Sequence, residues 1–229
     1  MYKEKITDVF FDLDHTLWDF ERNSALTFQF IFKNEGLAID LERFLEYYVP
    51  INLKFWKLYR EERVSKEELR YQRLRQSFDL MGFGITDQII YALSESYIQH
   101  LSSFKHVIPG TFELLEYLKE KYRLHIITNG FSEAQEKKMD NANIRHYFEV
   151  VINSEMAGVK KPNPEIFLLA LKEAGVAPQN ALMIGDNLEA DILGAQNVGL
   201  HAIHLSNPNE EFHQFSEIIH HLDEIKNFL

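Results

Sequence analysis

The chain has 229 residues, of which 45% are hydrophobic and 26% charged, which suits one large domain, or a domain with a sizeable insertion, and excludes intrinsic disorder. Its formal net charge of −11 would repel a nucleic-acid polymer, and a small anionic ligand would need local cations or a metal. The lack of cysteine excludes disulfides, thiolate zinc sites and cysteine nucleophiles.

Membrane and export signals are also missing from the sequence pattern. The N-terminal apolar run is too short and too acidic for a signal peptide, and no segment approaches the roughly 20 apolar residues of a membrane span. We therefore expect a soluble, cytoplasmic protein without a membrane partner. The pattern says nothing about the oligomeric state.

The first predicted strand lies in ITDVFFDL, residues 6–13, where β-branched and aromatic residues form an apolar run. Asp12 and Asp14 stand at its end, separated by one leucine. Carboxylates repel one another and lose solvation energy when they are drawn out of water. Their placement after a buried strand therefore indicates that a cation lies nearby and compensates their charge.

The segment from residue 17 to residue 104 breaks the strand pattern. It contains amphipathic runs rich in aromatic residues: ALTFQFIFKNEG (25–36), NLKFWKLYREE (52–62) and KEELRYQRLRQSF (66–78). Their spacing predicts helices, so we expect a helical insertion after the first strand. Three arginines of the last run, Arg70, Arg73 and Arg75, are expected to form a solvated face.

Strands and helices alternate after the insertion. The predicted strands are RLHIITNG (123–130), FEVVINSE (148–155), ALMIGDN (181–187) and HAIHLSN (201–207). The predicted helices are GTFELLEYLKEKY (110–122), SEAQEKKMDNAN (132–143), PEIFLLALKEAGV (164–176) and EADILGAQNVG (189–199). Such alternation, with strands apolar enough to be buried on both faces, predicts an α/β fold with a doubly wound parallel sheet.

Several of the predicted strands end abruptly in polar residues. Those at strand ends or in nearby loops are Asp12, Asp14, Thr128, Asn129, Gly130, Lys161, Asp186 and Asp191. Ligands of open α/β sheets bind beyond the carboxyl ends of the strands, so we expect these residues to converge in one crevice. Carboxylate oxygens suit Mg²⁺, and Mg²⁺ together with a lysine would attract a phosphate group.

Each of these motifs alone has an ordinary structural explanation. DLD after a strand is commonly a turn or a helix cap, and GDNLEAD can be a capped helix start. An EF-hand is excluded, because Leu17 and Asn23 occupy its glycine and final acidic positions. A P-loop motif is not present. The four motifs in order, each at a strand end or loop, favour a functional site over unrelated turns.

FFDLDHTLW (10–18), IITNGFS (126–132), GVKKPNPEIF (158–167) and MIGDNLEADILGAQNVG (183–199) resemble the four motifs of the haloacid dehalogenase (HAD) superfamily. The resemblance covers essentially the whole chain. It implies a Rossmann-like catalytic core of residues 1–16 and 105–229, with an inserted helical cap domain of residues 17–104. TLWDF, NLKFW and ITNGFS further resemble the pyrimidine 5′-nucleotidase branch of these phosphatases.

The resemblance implies roles for the three aspartates nearest the expected cation. Asp12 would be the nucleophile, which forms an aspartyl-phosphate intermediate. Asp14 would be the general acid that protonates the leaving oxygen and then the base that activates water. Mg²⁺ would be held by the carboxylates of Asp12 and Asp186 and by the backbone carbonyl of Asp14. The dehalogenases lack the second aspartate, so Asp14 favours phosphoryl transfer.

The remaining positions would bind substrate or support the site. The resemblance implies that Thr128, Asn129, Gly130 and Lys161 hold the phosphoryl oxygens. Lys160 is the rival for the lysine role, but the family's lysine directly precedes the proline. Asp191 would not bind the metal itself and would act on a metal-bound water or on Lys161.

Trp18 follows the catalytic loop closely. It is a candidate to stack on a base of the substrate or to seal the closed site. The alternative is that it packs the junction between the cap and the core.

The predicted function is a Mg²⁺-dependent phosphomonoesterase that hydrolyses a small phosphorylated metabolite. The favoured substrate is a nucleoside 5′-monophosphate, with a pyrimidine base. A sugar-phosphate phosphatase or a phosphomutase of the same fold is the alternative enzyme. A receiver domain places its phosphoacceptor later in the chain, and an inactive HAD-like binding module would not need the complete motif set.

Overall fold

The computed structural model of the protein describes residues 5–207 and 212–229. The chain divides into two compact units, the first comprising Met1–Phe20 and Lys105–Leu229 and the second Glu21–Phe104. Residues 17–20 group with the first unit, whereas the sequence pattern placed the start of the insertion at residue 17. That the second unit is a cap domain remains a prediction.

Both units of the described chain contain α-helices. The second unit is built from α1 (Phe20–Asn34), α2 (Leu41–Arg60), α3 (Lys66–Met81) and α4 (Asp87–Leu101). The first unit carries α5 (Thr111–Lys119), α6 (Ser132–Asn141), α7 (Ser154–Ala157), α8 (Pro164–Ala174) and α9 (Gly194–Asn197). Within residues 5–207 and 212–229, no helix has the length and apolarity needed to cross a bilayer.

One parallel sheet of six strands organises the described part of the first unit. The strands are β1 (Asp8–Phe11), β2 (Arg123–Thr128), β3 (Phe148–Asn153), β4 (Ala181–Gly185), β5 (His201–Leu205) and β6 (Glu217–Ile219). Their spatial order is β3-β2-β1-β4-β5-β6, and neighbouring strands run parallel. The predicted doubly wound α/β fold is confirmed. The sequence pattern missed β6, because three residues form too short a run to separate from a loop.

The strand order reverses on either side of β1. From β1 the chain moves outward through β2 and β3, and it later returns beside β1 as β4 before moving outward on the other side. The carboxyl ends of β1 and β4 therefore flank the crevice in which open α/β sheets bind ligands. Both strands are buried at every position, which is why they read as continuous apolar runs.

Local sequence explains how α8 begins and ends. Pro164 occupies the first turn of α8 as predicted, the side chain of Asn163 accepts a hydrogen bond from Glu165 N at 3.0 Å, and Gly175 ends the helix with φ 63°.

The segment before α9 was predicted as ordinary helix. It forms instead a π-helical stretch, Leu188–Leu193, which continues into α9; such stretches are frequent at functional sites.

Aromatic side chains form the core of the second unit. The ring of Phe28 lies 4.8 Å from Phe44, 4.6 Å from Tyr48 and 4.6 Å from Tyr97, measured between ring centroids. These residues come from α1, α2 and α4 and are buried. Pairs of rings at such distances add to the free energy gained by apolar burial, so Phe28 is the centre of this core.

The expectation of a solvated arginine face on α3 is wrong for Arg73, which is only 2% exposed. Its Nη1 donates to the Asn52 side-chain oxygen at 3.1 Å, and its guanidinium lies 4.9 Å from the centroid of the Tyr97 ring. The hydrogen bond and the cation–π contact compensate for the loss of water around the charge. Charge patterning along one helix cannot reveal partners on α2 and α4.

We expect Phe28→Ala to lower the free energy of unfolding by about 3–5 kcal/mol, because it removes a buried ring and leaves a cavity. Urea titration followed by circular dichroism measures the change. Phe30→Ala on the same helix is the matched control, because Phe30 is 39% exposed, and its change should stay below about 1 kcal/mol. Equal losses in both variants would contradict the assignment of Phe28 to the core.

Candidate active site

A tight turn after β1 presents the two aspartates predicted from the sequence. Asp12 follows the last residue of β1, and its backbone N–H donates to the carbonyl of Ile184 on β4 at 2.9 Å. The chain then turns at His15, whose φ of 67° is uncommon for a residue with a side chain. The backbone N–H of His15 donates to the carbonyl of Trp18 at 3.0 Å. The turn therefore keeps Asp12 and Asp14 at the carboxyl end of the sheet.

Lys161 is the central cation of the site. Its buried Nζ lies 2.5 Å from Asp12 Oδ1, 2.6 Å from the carbonyl oxygen of Ile127 and 2.7 Å from Asp191 Oδ1. Two hydrogen bonds and an ion pair thus join Lys161 to β2 and to the segments following β1 and β4. The structure places Lys161 beside Asp12 and Asp191, and the sequence analysis expected these three residues to lie in one crevice.

A side-chain clamp holds the loop that carries Lys161. The side-chain oxygen of Asn129 accepts from Lys161 N at 2.7 Å, and the side-chain nitrogen of Asn129 donates to the Lys161 carbonyl at 3.0 Å. The predicted contact of Asn129 with substrate, through its backbone N–H, stays a prediction. Its side chain pairs with the backbone of Lys161 and so helps to position that lysine.

Asp191 approaches the sheet through a gap that only glycine leaves open. A Cβ atom on Gly185 would lie 2.3 Å from Asp191 Oδ2, too close for any real contact. The same Oδ2 accepts a hydrogen bond from Asn187 N at 3.0 Å. Asp191 therefore contacts Lys161 directly, as one of the two roles suggested for it requires; the role itself stays a prediction.

The carboxyl groups of this cluster carry altered pKa values. Burial raises the pKa of Asp12 to about 8 although Lys161 opposes the shift, and burial, reinforced by the charge of Asp191, raises that of Asp186 to about 8. Burial alone would lower the pKa of Lys161, but Asp12 and Asp191 outweigh it and raise that pKa. One lysine therefore does not compensate all the buried carboxylates.

The same carboxylates form a donor set that suits a divalent cation. Asp12, Asp186 and Asp191 each offer an oxygen atom within 4.8 Å of the others. The Asp186 carboxylate also lies 3.4 Å from Thr16 Oγ1, and its backbone carbonyl accepts from His204 Nε2 at 2.8 Å. Hard oxygen donors with too little positive charge around them fit Mg²⁺.

Thr128 ends β2 with its hydroxyl group directed by two donors. Its Oγ1 accepts from Gly130 N at 3.1 Å and from Gln135 Nε2 at 2.6 Å. Because these donors occupy the oxygen lone pairs, the hydroxyl proton is left to donate. A hydroxyl oriented in this way can hydrogen-bond an oxygen atom of a ligand.

Asp14 is held by a different cation from the one beside Asp12. Lys138 Nζ lies 2.7 Å from Asp14 Oδ1 and 2.9 Å from Oδ2, and Gln135 Nε2 donates to Oδ2 at 3.0 Å. Neither α6 residue was singled out by the sequence analysis. Their spacing of three positions, which places two polar residues on one helix face, is the only sequence signal for them.

Trp18 is buried in this structure. Its side chain is 0% exposed, and its ring lies 4.5 Å from Lys138 Nζ. Its contact with a substrate base or its sealing of the closed site stays a prediction.

The comparison with protein families agrees with this geometry. Residues 8–199 match the model of the haloacid dehalogenase-like hydrolases. In the solved structures, the HAD-hydrolase YfnB of Bacillus subtilis bound to magnesium superposes with a TM-score of 0.87, at 26% identity and over 98% of each chain.

Curated relatives include enzymes with different named substrates. The chain is 32% identical to the pyrimidine 5′-nucleotidase PynA of Streptococcus pneumoniae, over 96% of this chain and 95% of PynA. It is 32% identical to the pyrimidine 5′-nucleotidase YjjG of Escherichia coli, over 84% and 82% of the two chains. It is also 32% identical to the glyceraldehyde 3-phosphate phosphatase of Methanothermobacter thermautotrophicus, over 85% and 83%.

A match over most of the chain, the parallel sheet and the arrangement of aspartates around Lys161 lead to one conclusion. This protein belongs to the haloacid dehalogenase-like hydrolases.

Proposed function

We propose that the protein is a Mg²⁺-dependent phosphomonoesterase that works through an aspartyl-phosphate intermediate. The observation that carries the proposal is the pairing of two aspartates, two residues apart, with two different lysines: Asp12 with Lys161 and Asp14 with Lys138. Separate environments allow one carboxyl group to attack while the other transfers protons.

In the proposed first step, a carboxylate oxygen of Asp12 attacks the phosphorus atom. The bond between phosphorus and the leaving oxygen breaks, and Asp14 gives its proton to that oxygen. In the second step, Asp14 takes a proton from water, whose oxygen attacks phosphorus. Asp12 is released as a carboxylate together with inorganic phosphate, so atoms and charges balance over the two steps.

The residues around Asp12 would orient the reacting groups. Lys161 fixes one oxygen of Asp12 and would offer positive charge to the phosphoryl group. The hydroxyl proton of Thr128 would donate to a phosphoryl oxygen, since its oxygen already accepts two hydrogen bonds. Preorganised donors of this kind stabilise the charge that moves during phosphoryl transfer.

The proposed metal ligands are the carboxylates of Asp12 and Asp186 and the backbone carbonyl of Asp14, with Asp191 supporting through Lys161. When bound, Mg²⁺ would neutralise the repulsion between carboxylates and phosphate. Burial raises the pKa values of Asp12 and Asp186 to about 8, which supports this assignment, because a bound cation would stabilise the charged form of these buried carboxyl groups.

The proposed substrate is a pyrimidine nucleoside 5′-monophosphate. The names of two relatives support it, PynA and YjjG. The second candidate is a sugar phosphate, supported by the glyceraldehyde 3-phosphate phosphatase of equal identity. Both are small phosphorylated metabolites, and a cytoplasmic location of the enzyme is part of this proposal.

A phosphate-release screen separates these candidates. We expect the kcat/KM for UMP and CMP to exceed that for glyceraldehyde 3-phosphate by about tenfold or more, which corresponds to about 1.4 kcal/mol in transition-state binding. A preference for the sugar phosphate would support the second candidate. Isomerisation of a sugar phosphate without phosphate release would indicate a mutase, and no turnover of any ester would indicate an inactive binding module.

Asp12→Asn should reduce kcat by about 10⁴-fold or more, because the amide is a poor nucleophile and no other carboxylate replaces it. Steady-state phosphate release measures the loss, and circular dichroism tests the fold. Asp140→Asn is the matched control, because Asp140 is exposed on α6, and it should retain normal kcat. Turnover near the wild-type rate in the Asp12 variant would refute the assignment of the nucleophile.

Metal binding should stabilise the protein more at high pH than at low pH. In the metal-free protein Asp12 and Asp186, with pKa values of about 8, hold protons more tightly than they do in the unfolded chain. The free energy of unfolding should therefore fall as the pH rises from about 4 to about 8. Mg²⁺ competes with those protons and restores stability once the carboxyl groups ionise.

Thermal unfolding with and without Mg²⁺ measures this effect at about pH 6 and about pH 9. We expect a larger increase of Tm at the higher pH, and a much smaller one in Asp186→Asn, which lacks a ligand. Asp140→Asn should respond like the wild type. A Tm increase that is independent of pH and unchanged in Asp186→Asn would place the metal elsewhere.

A further inference from the structure

Helix α6 presents two buried polar side chains to the active site. Gln135 and Lys138 lie three positions apart and are 1% and 3% exposed. Burying an ammonium group is unfavourable unless the group is well paired. Their neighbours Glu136 and Lys137 are exposed, as is usual for charged residues on a surface helix. The inward direction of Gln135 and Lys138 therefore needs a specific explanation.

We propose that Lys138 and Gln135 are positioning residues that hold the carboxyl group of Asp14 for proton transfer to the leaving oxygen. This role rests on the proposed function, in which Asp14 is the acid and the base. It extends that function to two residues of α6 that lie outside the four motifs on which the family resemblance rests.

Lys138 holds Asp14 by both oxygens. The two distances, 2.7 and 2.9 Å, fix the plane of the carboxyl group, which one contact would leave free to rotate. The rings of Trp18 and Phe20 lie 4.5 and 5.6 Å from the same Nζ. Their π-faces stabilise the ammonium group in place of water, so Trp18 acts through Lys138.

Gln135 couples Asp14 to Thr128. Its single Nε2 donates to Thr128 Oγ1 at 2.6 Å and to Asp14 Oδ2 at 3.0 Å. A Cβ atom on Gly130 would lie 1.9 Å from this nitrogen. Gly130 is therefore required for Gln135 to reach both partners, which explains the glycine of the TNG motif.

A purely structural role explains these contacts less well. The side chain of Asp14 is 20% exposed, so water could solvate it without a buried cation. Placing Lys138 beside it costs desolvation energy that folding alone does not require. This cost is explained if Lys138 stabilises the negative charge that develops on Asp14 as its proton moves to the leaving oxygen.

The test uses substrates that differ in their need for an acid. A nucleoside 5′-monophosphate expels a strongly basic alkoxide, which must be protonated, whereas p-nitrophenyl phosphate expels a weakly basic phenolate, which need not be. The kcat/KM covers only the steps through departure of the leaving group. It is therefore insensitive to the later hydrolysis of the aspartyl-phosphate.

Lys138→Met keeps the length and packing of the side chain and removes the charge. We expect kcat/KM to fall about 10²-fold for UMP and by no more than about threefold for p-nitrophenyl phosphate. Gln135→Met should show a smaller split in the same direction. Lys138→Arg should recover part of the loss, and Lys137→Met, on the exposed face of the same helix, should behave as wild type.

A double-mutant cycle with Asp14→Asn completes the test. If Lys138 acts through Asp14, Lys138→Met should cause no further loss in the Asp14→Asn background. Equal losses on both esters, or additive losses in the cycle, would overturn the positioning role while leaving the proposed function intact. A wild-type protein that hydrolyses neither ester would overturn the proposed function and this role with it.

Discussion

The buried ammonium group of Lys161 is the constraint on which the active site depends. An ammonium group removed from water needs hydrogen-bond acceptors and a compensating negative charge. Here Nζ donates to Asp12 and to the carbonyl of Ile127 and forms an ion pair with Asp191; these partners follow or lie within β1, β2 and β4. One cation thus ties together the carboxyl ends of the three central strands, and displacement of any of them would weaken the pairing of a buried charge.

Other features of the site serve that contact. The side chain of Asn129 pairs with both backbone groups of Lys161, and Gly185 leaves the space through which Asp191 reaches the cation. Asn129 and Gly185 belong to different sequence motifs, but both support the pairing of the buried Lys161 ammonium group. The pKa values of Asp12 and Asp186 remain raised despite Lys161, so the effect of burial on these carboxyl groups outweighs that of the one lysine.

A division between two cations gives the two aspartates of the DLD motif different environments. Asp12 is buried beside Lys161, whereas Asp14 is partly exposed and is held by Lys138. Carboxyl groups with the same chemistry acquire distinct roles when burial and charged neighbours differ. The backbone N–H of Asp12 pairs with β4, whereas the side chain of Asp14, two residues later, pairs with Lys138 of α6.

The sequence by itself determined the alternation of strands and helices and the edge at which the motifs meet. A parallel strand buried on both faces is a local apolar run, and right-handed crossovers bring the carboxyl ends of such strands to one side of the sheet. Asp12, Thr128 and Asp186 were therefore predictable. Only the tertiary structure decided that Lys138 turns inward while Lys137 stays exposed, and that Arg73 is buried. Whether a side chain is buried depends on the surface opposite it, and distant parts of the chain build that surface.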